Sequence, residues 1–279
     1  MTTAPYATWV HVPVSVSPVR MPLCRLHLLI QGGRIYAVLE GTRGEIAACK
    51  EFRNEQDLGQ ETFLRLLLTH EGWLRGPFLG TEVYWGSTQY TLIPEACWDE
   101  RQALSLGRAL LDDLMLPEEV AQAILPAVRG RVLFAVPPGI RHLLKQYLGD
   151  YTLAHVASPL VRWVMTTERR SERLMTLLWI EAGILIALRD ADQLIFCNGF
   201  ACHSPEDAVY YVQAVKAACG LEAFEIPLLA GGEWEPDAPE VHGLRRWLPL
   251  VRVPDTWGFR GQQDLSLTPY WKYAFLCAS

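Results

Sequence analysis

The 279-residue sequence predicts an α/β protein of two similar halves facing one another across a cleft, and three observations carry that expectation. Each half runs strand, strand, strand, helix, strand. Each first hairpin turns on glycine, at Gln31-Gly32-Gly33 and again at Glu181-Ala182-Gly183. The strand that leads into the second of these turns, "RLMTLLWIEA", is a nearly continuous apolar run, as expected of a central strand covered on both faces.

After an N-terminal extension (1–22), the first half opens with "LCRLHLLI" as a strand, Gly32 and Gly33 as the turn, and "RIYAVLE" returning. Gly41-Thr42-Arg43-Gly44 turns again into a third strand, "EIAACKEF". A helix is expected from about Gln56 to His70, with Gly72 as its stop. "TEVYWG" and "YTLIPE" read as short strands, and another helix fills Asp99 to Leu114. Next come "RVLFAVP" as a strand, Pro138 to Leu148 as a helix and "YTLAHVA" as a strand. Ser158 as cap and Pro159 at the first position start a helix to about Thr167. The charged and hydroxylic "TERRSE" then divides a first domain (23–168) from a second (169–279).

In the second half "ILIALRD" returns from Gly183, "ADQ" turns, and "LIFCNGFACH" is the third strand. Ser204-Pro205-Glu206-Asp207 signals a helix start: a hydroxyl cap, proline at the first position, and two acids where the helix dipole favours them. Ala208, Tyr211, Val212 and Val215 give that helix one apolar face, and Gly220 ends it. "FEIPLLAGGE" is a fourth strand. The remaining chain places Trp234, Trp247, Trp257 and Trp271 among many prolines, a composition that covers the flank of a domain or marks a protein interface; the flank is the expected use. "LTPYWKYAFLCAS" alternates as a final strand on a sheet edge would.

Half the residues are hydrophobic and a fifth charged, enough for a proper core. The net charge of −6, with basic residues only in pairs such as Arg169-Arg170 and Arg245-Arg246, leaves no electrostatic footprint for nucleic acid. The most apolar stretch, Leu174 to Leu188, is short for a membrane span and carries Glu181, and no secretory leader is evident. The expected location is the cytoplasm, where the seven scattered cysteines would stay reduced. Cys197, Cys202 and His203 are the nearest thing to a metal cluster. An odd spacing along an extended chain aims the two thiols at opposite faces, so no metal is expected. There is no GxxxxGK(S/T) loop, no GxGxxG between strand and helix, no HExxH and no GxSxG elbow, and no catalytic residue is assigned.

The order of elements points to tandem ribonuclease-H-like domains, mixed sheets flanked by helices, as in actin, sugar kinases and heat-shock ATPases. The segments "QYTLIPEACWDE" (89–100), "LFAVPPGIRHLLKQYLGDYTLAHVASPLV" (133–161) and "LIFCNGFACHSPEDAVYYVQAVKAACGL" (194–221) sharpen this. They resemble the signature segments of a Bacteroidetes family defined as a domain of unknown function, whose members resemble actin-like ATPases in fold. The resemblance spans about Cys24 to Glu233 and implies a fold without an activity.

Active members of the wider superfamily hold ATP between their domains. An Asp-x-Gly turn at each first hairpin cradles phosphate and organises Mg²⁺, and a late Gly-Gly turn meets the adenosine. The resemblance makes Gly32, Gly33, Glu181, Gly183, Gly231 and Gly232 the nucleotide-binding candidates. Gln31 stands about where the first acid belongs, and Glu181 is one methylene longer than aspartate. Each glycine is equally a turn residue that any hairpin wants. The leading expectation is a non-catalytic pseudo-ATPase that serves as a scaffold for an unidentified protein partner. The alternative is a nucleotide-binding ATPase or small-molecule kinase, with ATP and Mg²⁺ bound weakly. A purely structural homo-oligomer is a third.

Overall fold

The computed structural model describes residues 6–12, 17–44, 46–110, 119–166, 172–232 and 239–252. The N-terminal segment contributes an unanticipated strand, β1 (Ala7–Val12), which pairs with β4 (Ile46–Arg53) at the edge of the first sheet. Inside it lie β3 (Arg34–Glu40) and β2 (Arg25–Gln31), antiparallel neighbours. β5 (Gly80–Trp85) and β9 (Thr152–His155) follow in parallel, so the order is β1-β4-β3-β2-β5-β9.

The second large sheet contains β10 (Arg173–Ile180), β11 (Gly183–Asp190), β12 (Gln193–Phe200), β13 (Leu228–Gly232) and the short β14 (Val251–Arg252). Its order is β12-β11-β10-β13-β14, with β10 antiparallel to β11 and parallel to β13. Counted outward from β2 and from β10, the two sheets share strand order and strand direction. A third sheet, β6-β8-β7, is antiparallel and comprises β6 (Tyr90–Pro94), β7 (Val120–Leu125) and β8 (Gly130–Ala135).

The alternation of β10 and β11 decides how the layers stack. Leu174, Leu178, Ile180, Leu185 and Ala187 join the core of the first half. Met175, Leu177, Ile184, Ile186 and Leu188 point the other way and form a second core with Val212, Val215, Val241 and Leu244. The wall between the halves is α4 (Ala157–Thr166), which buries Ala157, Leu160, Val161 and Val164 and packs on β10, β11 and β12. The first sheet is covered by α1 (Gln60–His70), through Phe63, Leu64, Leu67 and Leu68, and by α3 (Pro138–Leu148), through Ile140, Leu143 and Leu144.

The start of α5 (Pro205–Ala218) follows its sequence signal. The Ser204 hydroxyl accepts from the Asp207 N–H at 3.1 Å, and the Asp207 carboxylate accepts from the N–H groups of Ser204 and His203 at 3.1 and 3.0 Å. Those backbone donors, that of His203 first, hold the Asp207 carboxyl below its ordinary pKa.

Four helix-boundary expectations need correction. α1 begins at Gln60, later than the expected Gln56. The Asn54 side chain instead brackets a loop, donating to Leu58 O at 2.6 Å and accepting from Leu58 N at 2.9 Å, and Asp57 is left-handed at φ +50°. Gly72 does not stop the chain; it opens a 3-10 turn, Gly72–Arg75. α4 begins at Ala157, so Ser158 and Pro159 sit inside its first turn, where Ser158 is buried. α2 (Ala103–Leu110) starts after Asp99, and its expected end at Leu114 falls outside the described residues.

α6 (Pro239–Trp247) was not anticipated, nor were β7 and β14. α6 packs on α5, where a methyl group at Gly243 would lie 3.4 Å from Pro205 Cβ. Trp247 is 62% exposed. Trp234, Trp257, Trp271 and the expected strand "LTPYWKYAFLCAS" fall outside the described residues.

Replacing Ser204 by alanine removes one arm of the α5 cap and is expected to cost about 1 kcal/mol, read as a lower urea midpoint with an unchanged slope.

Candidate functional site

The pairing register closes two two-residue turns. Gln31 pairs with Arg34 across Gly32-Gly33, and Ile180 pairs with Gly183 across Glu181-Ala182. Gly32 has φ +50°, a region costly to residues with a Cβ. The first turn is held from below, since Gly33 O accepts from Asn54 N at 2.8 Å and Gly32 O from the Gln60 amide at 3.3 Å. From above it meets the carboxylate of Glu181. A methyl group on Gly32 would lie 2.7 Å from Glu181 Oε2, and one on Gly33 3.3 Å from Oε1. The exposed side chain of Glu181 therefore lies directly against the Gly32-Gly33 turn.

Gln31 has a different fate. Its side chain is buried beside the loop that follows β5, where a methyl on Gly86 would come within 2.8 Å of Gln31 Cβ. Gly183 and Gly232 are glycines because backbone crowds them: a methyl would fall 2.1 Å from Phe200 O and 2.0 Å from Trp179 O, at φ +137° and +105°. Gly231 and Gly232 are the buried end of β13, paired with Leu178 and Trp179. Of the six candidates, Gly32, Gly33 and Glu181 come together. Gly183 adjoins the Glu181 turn, and Gly231-Gly232 ends the neighbouring strand.

The loop after β5 ties the halves together. Thr88 presses on β12, with its carbonyl oxygen 2.5 Å from where a methyl on Gly199 would stand. The Tyr90 hydroxyl lies 3.2 Å from Cys197 Sγ. Burial pushes the Cys197 thiol up to about 12 and holds the Tyr90 phenol well above its ordinary value. Cys49 at about 12 and Cys202 at about 11 are likewise raised by burial, far from a reactive thiolate. Cys197, on β12, packs against the first-half core, whereas Cys202 lies beyond the end of that strand and joins the second core, so the two thiols are on opposite sides. Among the described residues no group of three His, Cys, Asp or Glu side chains is arranged to hold a metal ion, and no helix is long and apolar enough to cross a membrane.

His155 sits behind this loop, fully buried, its ring 4.4 Å from that of Tyr90. Nδ1 accepts from the Ala157 N–H at 3.1 Å and so caps α4, the task expected of Ser158. Nε2 must then carry the proton and donate to Ser87 Oγ, 3.2 Å away. That tautomer faces the wrong way to take a proton from Ser87, and burial drives the pKa of His155 down to about 3. The pair is architectural. A groove of about 800 Å³ lies between β6 and β12, lined by Leu92, Met165 and Phe196 and by the polar Arg129, Asp192 and Gln193 among others.

The sequence signals for Gly86 and Gly199 were isolated glycines at or within strands. Nothing local marked Asn54 or His155. The profile of DUF3822, described as a protein family of unknown function, matches residues 23–251. The chain belongs to the DUF3822 family. No curated protein matches it in sequence. A Bacteroides thetaiotaomicron protein with an actin-like ATPase fold and unknown function superimposes on this DUF3822 chain with a TM-score of 0.77. It shares 16% identity over 86% of this chain and 93% of its own. The fold is thus that of the actin-like ATPases, mixed sheets flanked by helices. Two more distant similarities are to the ethanolamine utilization protein EutJ of Carboxydothermus hydrogenoformans (TM-score 0.47, 8% identity, 83% of this chain, 84% of that one) and to the PilM-PilN type IV pilus biogenesis complex (0.49, 14%, 81% and 87%).

Gly232→Ala is expected to destabilise more than Gly32→Ala, because the Trp179 backbone cannot yield whereas the Glu181 side chain can swing aside. Gly32→Ala should then cost only the left-handed backbone penalty, about 1–2 kcal/mol, and paired urea titrations would give the ranking.

Proposed function

We propose that this DUF3822 protein is a non-catalytic member of the actin-like fold, a two-domain scaffold for a protein partner. The observation that carries the reading is the Glu181 carboxylate lying against the Gly32-Gly33 turn. In the superfamily that turn is where backbone N–H groups would face a phosphate. Like charges about 4 Å apart repel by about 1 kcal/mol in water and about 4 kcal/mol at a surface-like dielectric. An incoming triphosphate would have to displace Glu181 or overcome it.

The donor set for Mg²⁺ is no better suited. At the first hairpin the acid is replaced by Gln31, a neutral amide turned into the interior, and one carboxylate remains where the chemistry wants two. The residues present do not fit a magnesium nucleotide. The groove between β6 and β12, whose lining combines apolar side chains with Arg129, Asp192 and Gln193, supports a binding role for the space between the halves. The exposed Trp247 supports one at the flank.

Thermal unfolding in millimolar ATP, with and without Mg²⁺, tests the reading. The expected result is an unchanged melting temperature. A Mg²⁺-dependent rise that Glu181→Ala abolishes would instead favour an ATPase or small-molecule kinase, since a ligand present at a hundred times its Kd adds about 2.7 kcal/mol.

A further inference from the structure

Away from the hairpin turns, the register of the first sheet assembles a second polar cluster. Arg25 pairs with Glu40 on β3, and His27 pairs with Glu82 on β5. Strand parity puts all four side chains on one face of β2 and its neighbours. His27 is fully buried, yet both ring nitrogens face carboxylates: Nε2 is 2.8 Å from Glu40 Oε2, and Nδ1 is 3.6 Å from Glu82 Oε2. Tyr84, whose ring stacks on His27, donates its hydroxyl to Glu82 at 2.5 Å. Arg25 reaches the other oxygen of Glu82 at 4.0 Å, and Arg162 of α4 adds positive charge nearby.

A neutral imidazole has one N–H and one lone pair. With the proton on Nε2 for Glu40, the lone pair of Nδ1 would be aimed at the anionic Glu82. Only the imidazolium offers a proton to both sides. Beyond it lies a cavity of about 530 Å³ whose rim includes Leu23, Glu40, Thr42, Gly44, Leu79 and Glu82.

We propose that His27 is a proton-held latch: as an imidazolium it ties the end of β3 to β5, and loss of its proton frees the Glu40–Gly44 rim of this cavity. The electrostatics agree in direction. Burial alone would lower the His27 pKa, but Glu40 and Glu82 outweigh it and raise it above the ordinary 6.5, while His27 first, then Tyr84, holds Glu82 down to about 2. A histidine raised on folding contributes stability that is complete below 6.5 and is lost as pH climbs through the folded value. A depressed Glu82 contributes above its ordinary 4.5 and is lost as pH falls towards 2. The latch is therefore closed between these limits and opens on the alkaline side.

Nitrogen-15 NMR of the whole chain labelled at histidine tests this. His27, assigned by its loss in His27→Gln, should show both ring nitrogens protonated at neutral pH and a midpoint above 6.5; a neutral ring at neutral pH would overturn the proposal. Should His27→Gln fail to fold, Glu40→Gln keeps the side-chain shape and is expected to lower the midpoint of one buried histidine by about one unit or more. An unmoved midpoint counts against the latch. Amide exchange over 41–44, corrected for its intrinsic pH dependence, should quicken several-fold across the midpoint in the natural chain and not in Glu40→Gln. Identical profiles in the two proteins would show that the rim does not depend on the latch.

Discussion

Both faces of β10 and β11 are apolar, and a sheet of that kind has to be covered twice. The side chains that point towards α4 merge with the core of the first half, and those that point away require α5 and α6. The halves are consequently joined through buried hydrocarbon as well as through the chain. Separating them would expose Leu174, Leu178, Leu185 and their partners to water, at about 25 cal/mol for each Å² uncovered. The placement of every other part follows. α4 must start at the end of β9, so its first N–H, that of Ala157, is met there by His155. The loop after β5 must lie on β12, so glycine is needed at 199.

Two demands meet at the hairpins. Turn geometry alone accounts for glycine at 32, and backbone crowding alone accounts for glycine at 183 and 232. None of these needs a nucleotide to explain it. Glu181 is the residue that packing does not require, because it is exposed and its neighbours would accept a shorter or neutral side chain. Its position against the opposite turn is where chemistry, and not folding, has room to vary.

The fold was legible wherever local signals and burial agreed. The Ser204-Pro205 start, the apolar run of β10 and the paired glycine turns led to the right elements, and the order of those elements led to the actin-like fold. β1 and β7 were missed because short edge strands have weak periodicity, and β7 is half-exposed besides. α6 was missed because Gly243 interrupts a run rich in polar residues, and its close packing on Pro205 is tertiary information. Ser158 misled for a physical reason: a Ser-Pro pair is an equally good first turn when another group supplies the cap. At the hairpins, the candidate residues were visible as types in the sequence. The contact of Glu181 with Gly32 joins the two halves, and the His27 cluster depends on three strands in one register. Neither could be read from local sequence.

The continuous core also sets the mechanical character of the protein. Domains joined by a slender hinge can swing apart, and a visitor that clamps them must offset the freedom they lose. Here α4 and the Thr88–Gly199 contact brace the halves at separate points, which leaves little such freedom to lose. A partner of the kind proposed above would meet a surface already braced, so its grip would be determined by the fit of the surfaces more than by ordering the host.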